Sequence, residues 1–202
     1  MKVAETSPAT LPSSELPPGW TLKEFVGQAQ VEVVLDDRAL AFRLVSQGTS
    51  FALYRDLVLD IKRFPILRWR WKVVTLPTSG DVRERPRDDQ AAQVYLVFPR
   101  WPSPRSSSDV MGYIWDSHAP AGANLINPQS ANVKVVVLQS GADQLNRWVE
   151  EERNVYQDYK DLFGREPPRV GKVALMVDSD DTQSRAEALF EELVFLRSPV
   201  RR

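Results

Sequence analysis

The segment from Ile66 to Val74 constrains the fold more than any other part of the chain. Apolar and basic residues alternate strictly along it: Leu67, Trp69, Trp71 and Val73 against Arg68, Arg70 and Lys72. A period of two over this length is typical of a β-strand with one face buried and the other in water. We therefore expect both indoles in a core, with an exposed pair that stacks on sugar rings as the alternative.

Short runs with strand composition recur along the chain and end at turn residues. They are Val31–Leu35, Ala39–Val45, Ser50–Leu59, Ala92–Phe98, Val110–Trp115, Val133–Gln139, Asn146–Arg153 and Gly171–Val177. The first two form a predicted hairpin that turns around Asp36–Arg38. A short helix is predicted over Val155–Phe163, where Asn154 is a candidate N-cap and Gly164 follows as a stop.

This pattern predicts an all-β fold, an antiparallel two-layer β-sandwich of the jelly-roll type with about ten strands and one short helix. Residues 1–18 are rich in Pro, Ser and Thr and are predicted to form a flexible leader. The sandwich domain is then expected over residues 19–198, and residues 199–202 form a basic tail.

Charge and composition exclude several classes of function. The formal net charge is -1, so the chain has no global attraction for nucleic acid, and we expect no nucleic-acid partner. No apolar run approaches the roughly 20 residues of a membrane span. The absence of cysteine excludes disulfides, thiolate metal sites and cysteine nucleophiles. The start of the sequence has no hydrophobic signal core, which predicts a cytoplasmic protein, or a periplasmic or extracellular one whose signal has been removed.

Several phrases occur in an order and spacing that is specific as a set. They are Pro65–Lys72, Asp89–Phe98, Tyr113–Trp115, Ser140–Gly141, Trp148 with Glu152–Val155, Asp158–Tyr159, Phe163–Gly164 and Asp178–Thr182. From Trp20 to Phe195 the chain resembles a bacterial family known only as domain of unknown function number three thousand and forty-seven. The resemblance implies a single domain, commonly exported, and no established activity. The layout also looks like that of galactose-binding-like and carbohydrate-binding modules.

The resemblance also bears on Ala186–Leu196, whose Ala, Leu and Glu content favours a helix on propensity alone. The segment ends in Val194, Phe195 and Leu196, which suit a strand. We predict a strand, mainly because the resemblance implies one.

Aromatic side chains suggest a ligand site. Trp101 lies in a proline-rich loop with little local means of burial, and Tyr113 and Trp115 alternate on one strand close to His118. Flat apolar rings beside polar groups suit a sugar, so these four residues are the predicted ligand-binding set, with a glycan or other cell-envelope ligand as partner. The alternative is that Trp101 folds back and caps one end of the sandwich.

The turn after the predicted strand Gly171–Val177 is a candidate metal site. Asp178, Asp180 and Asp181 offer the oxygen ligands that a structural Ca²⁺ prefers, although the EF-hand pattern is absent. The alternative is an ordinary acidic turn. Asp88 and Asp89 would join the set only if the fold brings the two loops together.

Known catalytic machinery is largely absent from the sequence. His118 is the single histidine, and neither a Gly-x-Ser-x-Gly nor a His-Glu-x-x-His motif occurs. Arg153 and Asp158 are interpreted as a structural brace of the helix. We therefore expect a non-catalytic binding domain. The alternatives are a carboxylate-dependent hydrolase of the glycoside type, using for example Glu150–Glu152 with the Asp178 turn, and a structural or protein-interaction domain. The oligomeric state stays open.

Overall fold

The computed structural model describes residue 1 and residues 16–37, 39–103, 107–128 and 130–197, with the side chain of Glu192 excepted. Most of the predicted leader and the whole basic tail therefore lie outside the described residues. Leu16 already packs against the core, so ordered packing begins slightly before Trp20. No helix in the described ranges is long and apolar enough to cross a membrane.

The described chain forms a sandwich of two β-sheets. The strands are β1 (Thr21–Val26), β2 (Gln30–Asp36), β3 (Ala39–Gln47), β4 (Ser50–Leu59), β5 (Ile66–Thr75), β6 (Ala92–Phe98), β7 (Asp109–Asp116), β8 (Asn124–Ile126), β9 (Val133–Ser140), β10 (Val149–Asn154), β11 (Val170–Asp178) and β12 (Arg185–Leu196). A seven-stranded sheet has the order β1-β4-β11-β6-β7-β9-β8, and a five-stranded sheet has the order β10-β5-β12-β3-β2. The predicted all-β sandwich is confirmed.

Strand β5 behaves as its alternation predicts. Its apolar face, with Trp69 and Trp71, is fully buried, while its basic face stays partly exposed. The two indoles meet rings of β7 in the opposite sheet: the ring centroids of Trp69 and Tyr113 are 5.2 Å apart, and those of Trp71 and Trp115 are 6.1 Å apart. The core reading of the Trp pair is thus confirmed, since these contacts join the two layers.

One pairing departs from the expected antiparallel arrangement, because β7 and β9 run parallel. After β7 the chain crosses to the sheet edge, forms the short strand β8 there and returns antiparallel as β9 between β8 and β7. This crossover places a loop on the outer face of the seven-stranded sheet. Neither β8 nor the edge strand β1 was predicted, since both are short or largely exposed.

Strand β12 confirms the predicted strand over Ala186–Leu196 and lies between β3 and β5. Its apolar residues Ala188 and Phe190 are buried against both neighbours, which outweighs a helix propensity of tenths of a kcal/mol per residue. Its acidic residue Glu187 is held on the other face by Arg43 and Arg185.

The helix α1 (Val155–Phe163) also has the predicted bounds. The Asn154 side chain accepts a hydrogen bond from the backbone N–H of Gln157 at 3.0 Å, and Gly164 ends the helix in the left-handed region at φ 66. Asp158 accepts two hydrogen bonds from Arg153 and one from the hydroxyl of the buried Tyr113. These contacts tie the helix to both sheets, as the brace interpretation requires.

Candidate functional site

The outer face of the seven-stranded sheet is lined by the residues that alternate with the core positions. On β6 the core receives Val94 and Leu96, so Gln93 and Tyr95 point outward. On β11, Met176 and Asp178 lie on the same outer side, because Met176 pairs with Gln93 and Asp178 follows two positions later. The outer face therefore combines an aromatic ring, an amide and a carboxyl.

A second, smaller apolar cluster covers part of this face. It consists of the buried residues Val82, Ile114, Ala119, Val135 and Val137. Two of them come from loops: Val82 from the long loop between β5 and β6, and Ala119 from the crossover after β7. Together these loops lie over one part of the sheet and leave the rest open.

Asp116 at the end of β7 fixes both covering loops. Its buried carboxylate accepts hydrogen bonds from the backbone N–H groups of Val82 at 2.9 Å, His118 at 2.8 Å and Ala119 at 2.6 Å. Burial raises the pKa of Asp116, although the three N–H donors favour its charged form. This residue therefore holds the two covering loops together over the sheet.

The uncovered part of the face is a cleft of about 550 Å³. Edge strand β1 contributes Phe25 and Val26, which are both exposed. Apart from the hydroxyl-bearing Ser50 and Tyr95, the polar lining consists of amides and carboxyls, namely Gln90, Gln93 and Asn127 with Asp88, Asp178, Asp180 and Asp181. No Lys or Arg lines this cleft within the ranges that the structure describes. The cleft is thus acidic, with amide donors and apolar surface beside the carboxyls.

Tyr95 lies in the middle of the cleft because its neighbour on β7 has no side chain. Tyr95 pairs with Gly112 across the two strands. A Cβ added at Gly112 would lie 2.4 Å from Cε1 of the Tyr95 ring and 3.0 Å from Val135. The glycine therefore makes room for the ring to lie across β7, as occurs where a strand glycine admits a close neighbour.

Two loops meet at one end of the cleft, one before β6 and one after β11. Asp178 accepts hydrogen bonds from the backbone N–H of Gln90 at 2.6 Å and from Nε2 of Gln93 at 2.8 Å. In the other direction, Asp89 accepts from the backbone N–H groups of Asp181 at 3.2 Å and Thr182 at 2.6 Å. The fold thus brings the Asp88–Asp89 loop and the acidic turn together.

Several carboxyl groups at this end of the cleft have raised pKa values. Burial raises the pKa of Asp88 to about 6, although Gln90 and Asn127 donate hydrogen bonds to it. Burial also raises the pKa of Asp178 well above its usual range, and the nearby Asp89 adds to the effect. The pKa of Asp180 is raised for the same reasons. Crowded acids in a partly dry site favour protonation, cationic ligands or a metal ion.

The metal-ligand set differs in one member from the predicted one. Carboxylate oxygens of Asp89, Asp178 and Asp180 lie within 4.8 Å of one another. Asp181 was predicted as a ligand, but the structure leaves it exposed and does not include it in this set. Two oxygens bound to one Ca²⁺ at 2.3–2.6 Å lie at most about 5 Å apart, so the spacing fits. A structural Ca²⁺ here stays a prediction.

The predicted aromatic set does not form one surface. Tyr113 and Trp115 are fully buried, and the Nε1 of Trp115 donates to the carbonyl of Gly141 at 3.0 Å. These two rings therefore belong to the core and are not available to stack on a sugar. The sequence did not reveal this burial, because it depends on the contact between the aromatic face of β7 and the five-stranded sheet. His118 is exposed and its Nδ1 lies 2.8 Å from the carbonyl of Gly80.

Trp101 is the most open of the three predicted Trp and Tyr rings. It is 87% exposed, so it does not cap the sandwich by folding back. It lies beyond the end of β6, whereas the acidic end of the cleft lies before the start of β6. The two places are therefore at opposite ends of one strand.

The predicted metal ligands Asp178, Asp180 and Asp181 all line the cleft. The other polar residues of the lining were not predicted from the sequence, above all Gln93, Tyr95 and Asn127. A signal was present on β6, where Gln93 and Tyr95 interrupt an otherwise apolar run at alternate positions. Such an alternation marks a face that is not part of the core. No sequence pattern around Asn127 indicated that this residue lines the cleft.

Several solved structures are similar to this chain at low sequence identity. A family 11 carbohydrate-binding module of the Clostridium thermocellum cellulase Lic26A-Cel5E matches with a TM-score of 0.47 and 7% identity, over 93% of each chain. The family 11 xylanase of Neocallimastix patriciarum matches with a TM-score of 0.47 and 12% identity, over 93% of this chain and 95% of the xylanase. At these values the likeness carries no inference about function.

A search of curated proteins finds no match. A family model described as "Protein of unknown function (DUF3047)" matches residues 18–194. This span covers the whole sandwich apart from the end of β12. The chain therefore belongs to the DUF3047 family of proteins of unknown function.

Proposed function

We propose that this domain binds a glycan, and that the glycan lies in the cleft on the outer face of the seven-stranded sheet. The observation that carries the proposal is that the ring of Tyr95 lines the same cleft as the amides of Gln93 and Asn127. Sugar rings offer apolar C–H faces to an aromatic ring and hydroxyls to amides and carboxylates. The lining supplies both kinds of contact.

The charge of the cleft supports a neutral glycan over an acidic one. Its lining holds four carboxyls and, in the part of the chain described, no cation. An acidic sugar would place a further negative charge beside groups whose pKa values are already raised by burial and by neighbouring carboxyls. Carboxylates accept hydrogen bonds from neutral hydroxyls without this cost.

The test is a titration of the protein with neutral oligosaccharides by calorimetry, after a screen on a glycan array. We expect a ligand whose affinity falls at least about tenfold in Tyr95→Ala and in Gln93→Ala, since each removes a direct contact. Tyr54→Ala is the matched control. It removes the same ring from the same sheet, but from a position that pairs with Ala174 on β11 and does not line the cleft.

Two outcomes would count against the proposal. One is that no neutral glycan binds to the intact domain. The other is that Tyr54→Ala and Tyr95→Ala weaken binding equally, which would place the ligand elsewhere. Circular dichroism of each variant separates lost binding from lost folding.

A second candidate function is hydrolysis of a glycosidic bond in the same cleft. The observation that favours it is Asp88, whose pKa of about 6 suits a general acid near neutral pH. The partner carboxylate would be Asp180, because Asp89 and Asp178 are occupied with backbone N–H groups of the two loops. Release of reducing ends that disappears in Asp88→Asn, with binding retained, would favour the hydrolase. Binding without any release favours the glycan-binding domain.

A further inference from the structure

Trp101 lies in a second cavity, at the end of the sandwich away from the acidic loops. This trough has a volume of about 350 Å³ and is lined by Trp101, Pro99, Pro167 and Pro168, together with Arg100, Tyr159, Arg165 and Glu166. The prolines make it apolar and rigid, and the indole is 87% exposed. An open tryptophan on a rigid apolar floor is a common feature of ligand sites.

The trough is bordered by fixed arginines. Arg165 donates from Nη2 to both carboxylate oxygens of Asp109, at 2.6 and 2.7 Å, and Arg100 lies 3.4 Å from the same carboxylate. The hydroxyl of Tyr159 also donates to Asp109, at 2.5 Å. The Asp109 side chain is only 1% exposed, so it serves as a buried anchor that holds both guanidinium groups in place.

The single negative charge of Asp109 does not neutralise both arginines that it holds, so the trough keeps an excess of positive charge. One carboxylate, Asp109, faces two guanidinium groups. On the far rim, Glu166 is paired with both Lys62 and Lys160, at 2.8 and 3.3 Å. Among the described residues of these ion pairs, two acidic groups are thus matched with four basic ones. The cleft on the sheet face has the opposite charge, since carboxyls line it without a described cation.

Arg165 also retains donors that can reach a ligand. Its Nη2 and Nε are directed at Asp109 and Tyr159, while Nη1 makes no hydrogen bond to any residue that the structure describes. The side chain of Arg165 is 42% exposed. A guanidinium held in this way binds a second carboxylate with little further loss of side-chain entropy.

We propose that the Trp101 trough is a second binding site, and that it takes a sugar residue that carries a carboxylate, as in a uronic-acid glycan. The indole stacks on the apolar face of the ring, and Arg165 with Arg100 pairs with the carboxylate. The complementary charges of trough and ligand select acidic over neutral sugars. This inference does not depend on a ligand in the sheet-face cleft.

The first test compares two α-1,4-linked tetramers that differ only at C6, which is a carboxylate in galacturonic acid and a hydroxymethyl group in galactose. Calorimetry at low salt should show binding of the acidic tetramer at least about tenfold tighter than of the neutral one, with affinity that falls as salt is added. Trp101→Ala and Arg100→Gln should each weaken it at least about fivefold. Equal affinity for both tetramers would overturn the proposal.

Two control variants fix the location. Tyr95→Ala, in the sheet-face cleft, should leave the affinity for the acidic tetramer unchanged. Val58→Ala removes another strongly exposed apolar side chain, 74% exposed, and should also have no effect. Loss of acidic-tetramer binding in Tyr95→Ala would place the ligand in the cleft and overturn the proposal. It would leave the neutral-glycan proposal to be judged by its own titration.

Acrylamide quenching of tryptophan fluorescence gives an independent readout. Trp69, Trp71 and Trp115 are fully buried, Trp20 is 7% exposed and Trp148 is partly buried, so the quencher reaches Trp101 most readily and Trp148 to a lesser degree. Trp148 remains in Trp101→Ala, so the difference between the two proteins reports on Trp101. A saturating acidic tetramer should lower the quenching slope in the intact protein and leave it unchanged in Trp101→Ala. A short acidic peptide should give no such protection. Equal protection by the peptide would show a general anion site and overturn the assignment to a saccharide.

Discussion

Asp89 and Asp178 each hold the loop that belongs to the other. The Asp178 carboxylate, at the end of β11, accepts the backbone N–H of Gln90 beside Asp89, at 2.6 Å. The Asp89 carboxylate accepts the backbone N–H of Thr182 in the turn after Asp178, at 2.6 Å. Each loop is therefore held by hydrogen bonds to a carboxylate beside or within the other, and the acidic end of the cleft depends on both.

This reciprocity predicts that Asp89→Ala and Asp178→Ala are not additive. Each variant leaves buried N–H donors without an acceptor, at a cost of about 1–3 kcal/mol in the free energy of unfolding. The double variant should cost clearly less than the sum, since the first change already releases both loops. Urea denaturation measures all three values. Asp181→Ala is the control. Because the Asp181 side chain is exposed, its loss should change the free energy of unfolding by no more than about 0.5 kcal/mol. Strict additivity would show that the loops are placed independently.

The raised pKa values predict an unusual dependence of stability on pH. The pKa of Asp88 is about 6 in the folded protein, above its ordinary value of 3.8, so the folded state binds more protons between these values. Stability contributed by this group is therefore complete below about pH 4 and is lost as the pH rises through about 6. Asp178 acts in the same direction.

Asp88→Asn should flatten the decline in the free energy of unfolding between about pH 4.5 and 7.5, by roughly 2 kcal/mol over that range. Asp81 is the opposite case, since its hydrogen bonds from Arg83 lower its pKa and its contribution is lost on acidification. Urea denaturation at a series of pH values checks both signs. An unchanged decline in Asp88→Asn would show that this carboxyl is not the titrating group.

The predicted Ca²⁺ has a direct test in the same region. Burial and the nearby Asp89 raise the pKa values of Asp178 and Asp180, and a cation among the three carboxylates would stabilise their charged forms. We expect the melting temperature at pH 7.5 to rise with millimolar Ca²⁺ relative to a chelator, and the rise to vanish in Asp180→Asn. Asp143→Asn, an exposed acid outside this set, is the control. An equal melting temperature with and without Ca²⁺ would refute the site.

Much of the fold could be predicted from the sequence, because a strand with one buried face shows an alternation of apolar and polar residues and a helix has recognisable cap residues. The alternation around Trp69 and Trp71 identified a strand and its buried face, and Asn154 and Gly164 marked both ends of the helix. The edge strand β1 and the three-residue strand β8 were missed, since an exposed strand carries no such alternation.

The candidate site was harder to foresee, because it depends on contacts distant in sequence. Asp89 and Thr182 are 93 residues apart, and only the pairing of β6 with β11 brings them together. For the aromatic residues the local pattern was misleading. The alternation of Tyr113 with Trp115 shows that they share a face, but the face lies against Trp69 and Trp71.

The close contact between Gly112 and the Tyr95 ring predicts that substitutions at these two positions have coupled effects on stability. In Gly112→Ala the new Cβ would lie 2.4 Å from the Tyr95 ring, so the ring must move. We expect a loss of about 1–3 kcal/mol in the free energy of unfolding, as for other overpacked sites, together with weaker glycan binding. Most of that loss should disappear when the same change is made in a Tyr95→Ala background, because the clashing ring is gone. A loss of the same size in both backgrounds would mean that the strand itself, and not the ring, rejects the added methyl group.

Substitution by alanine is expected to affect stability very differently at Trp101 and at Trp115. Trp115 is fully buried, packs on Trp71 and donates a hydrogen bond to Gly141, so Trp115→Ala leaves a large cavity and an unpaired carbonyl. We expect it to cost about 3–5 kcal/mol in the free energy of unfolding. Trp101→Ala, at an 87% exposed position, should change this free energy by less than about 0.5 kcal/mol. Denaturation of both variants followed by circular dichroism gives the comparison. A large loss of stability in Trp101→Ala would show that this indole supports the end of the sandwich, and its use as a free ligand platform would then fail.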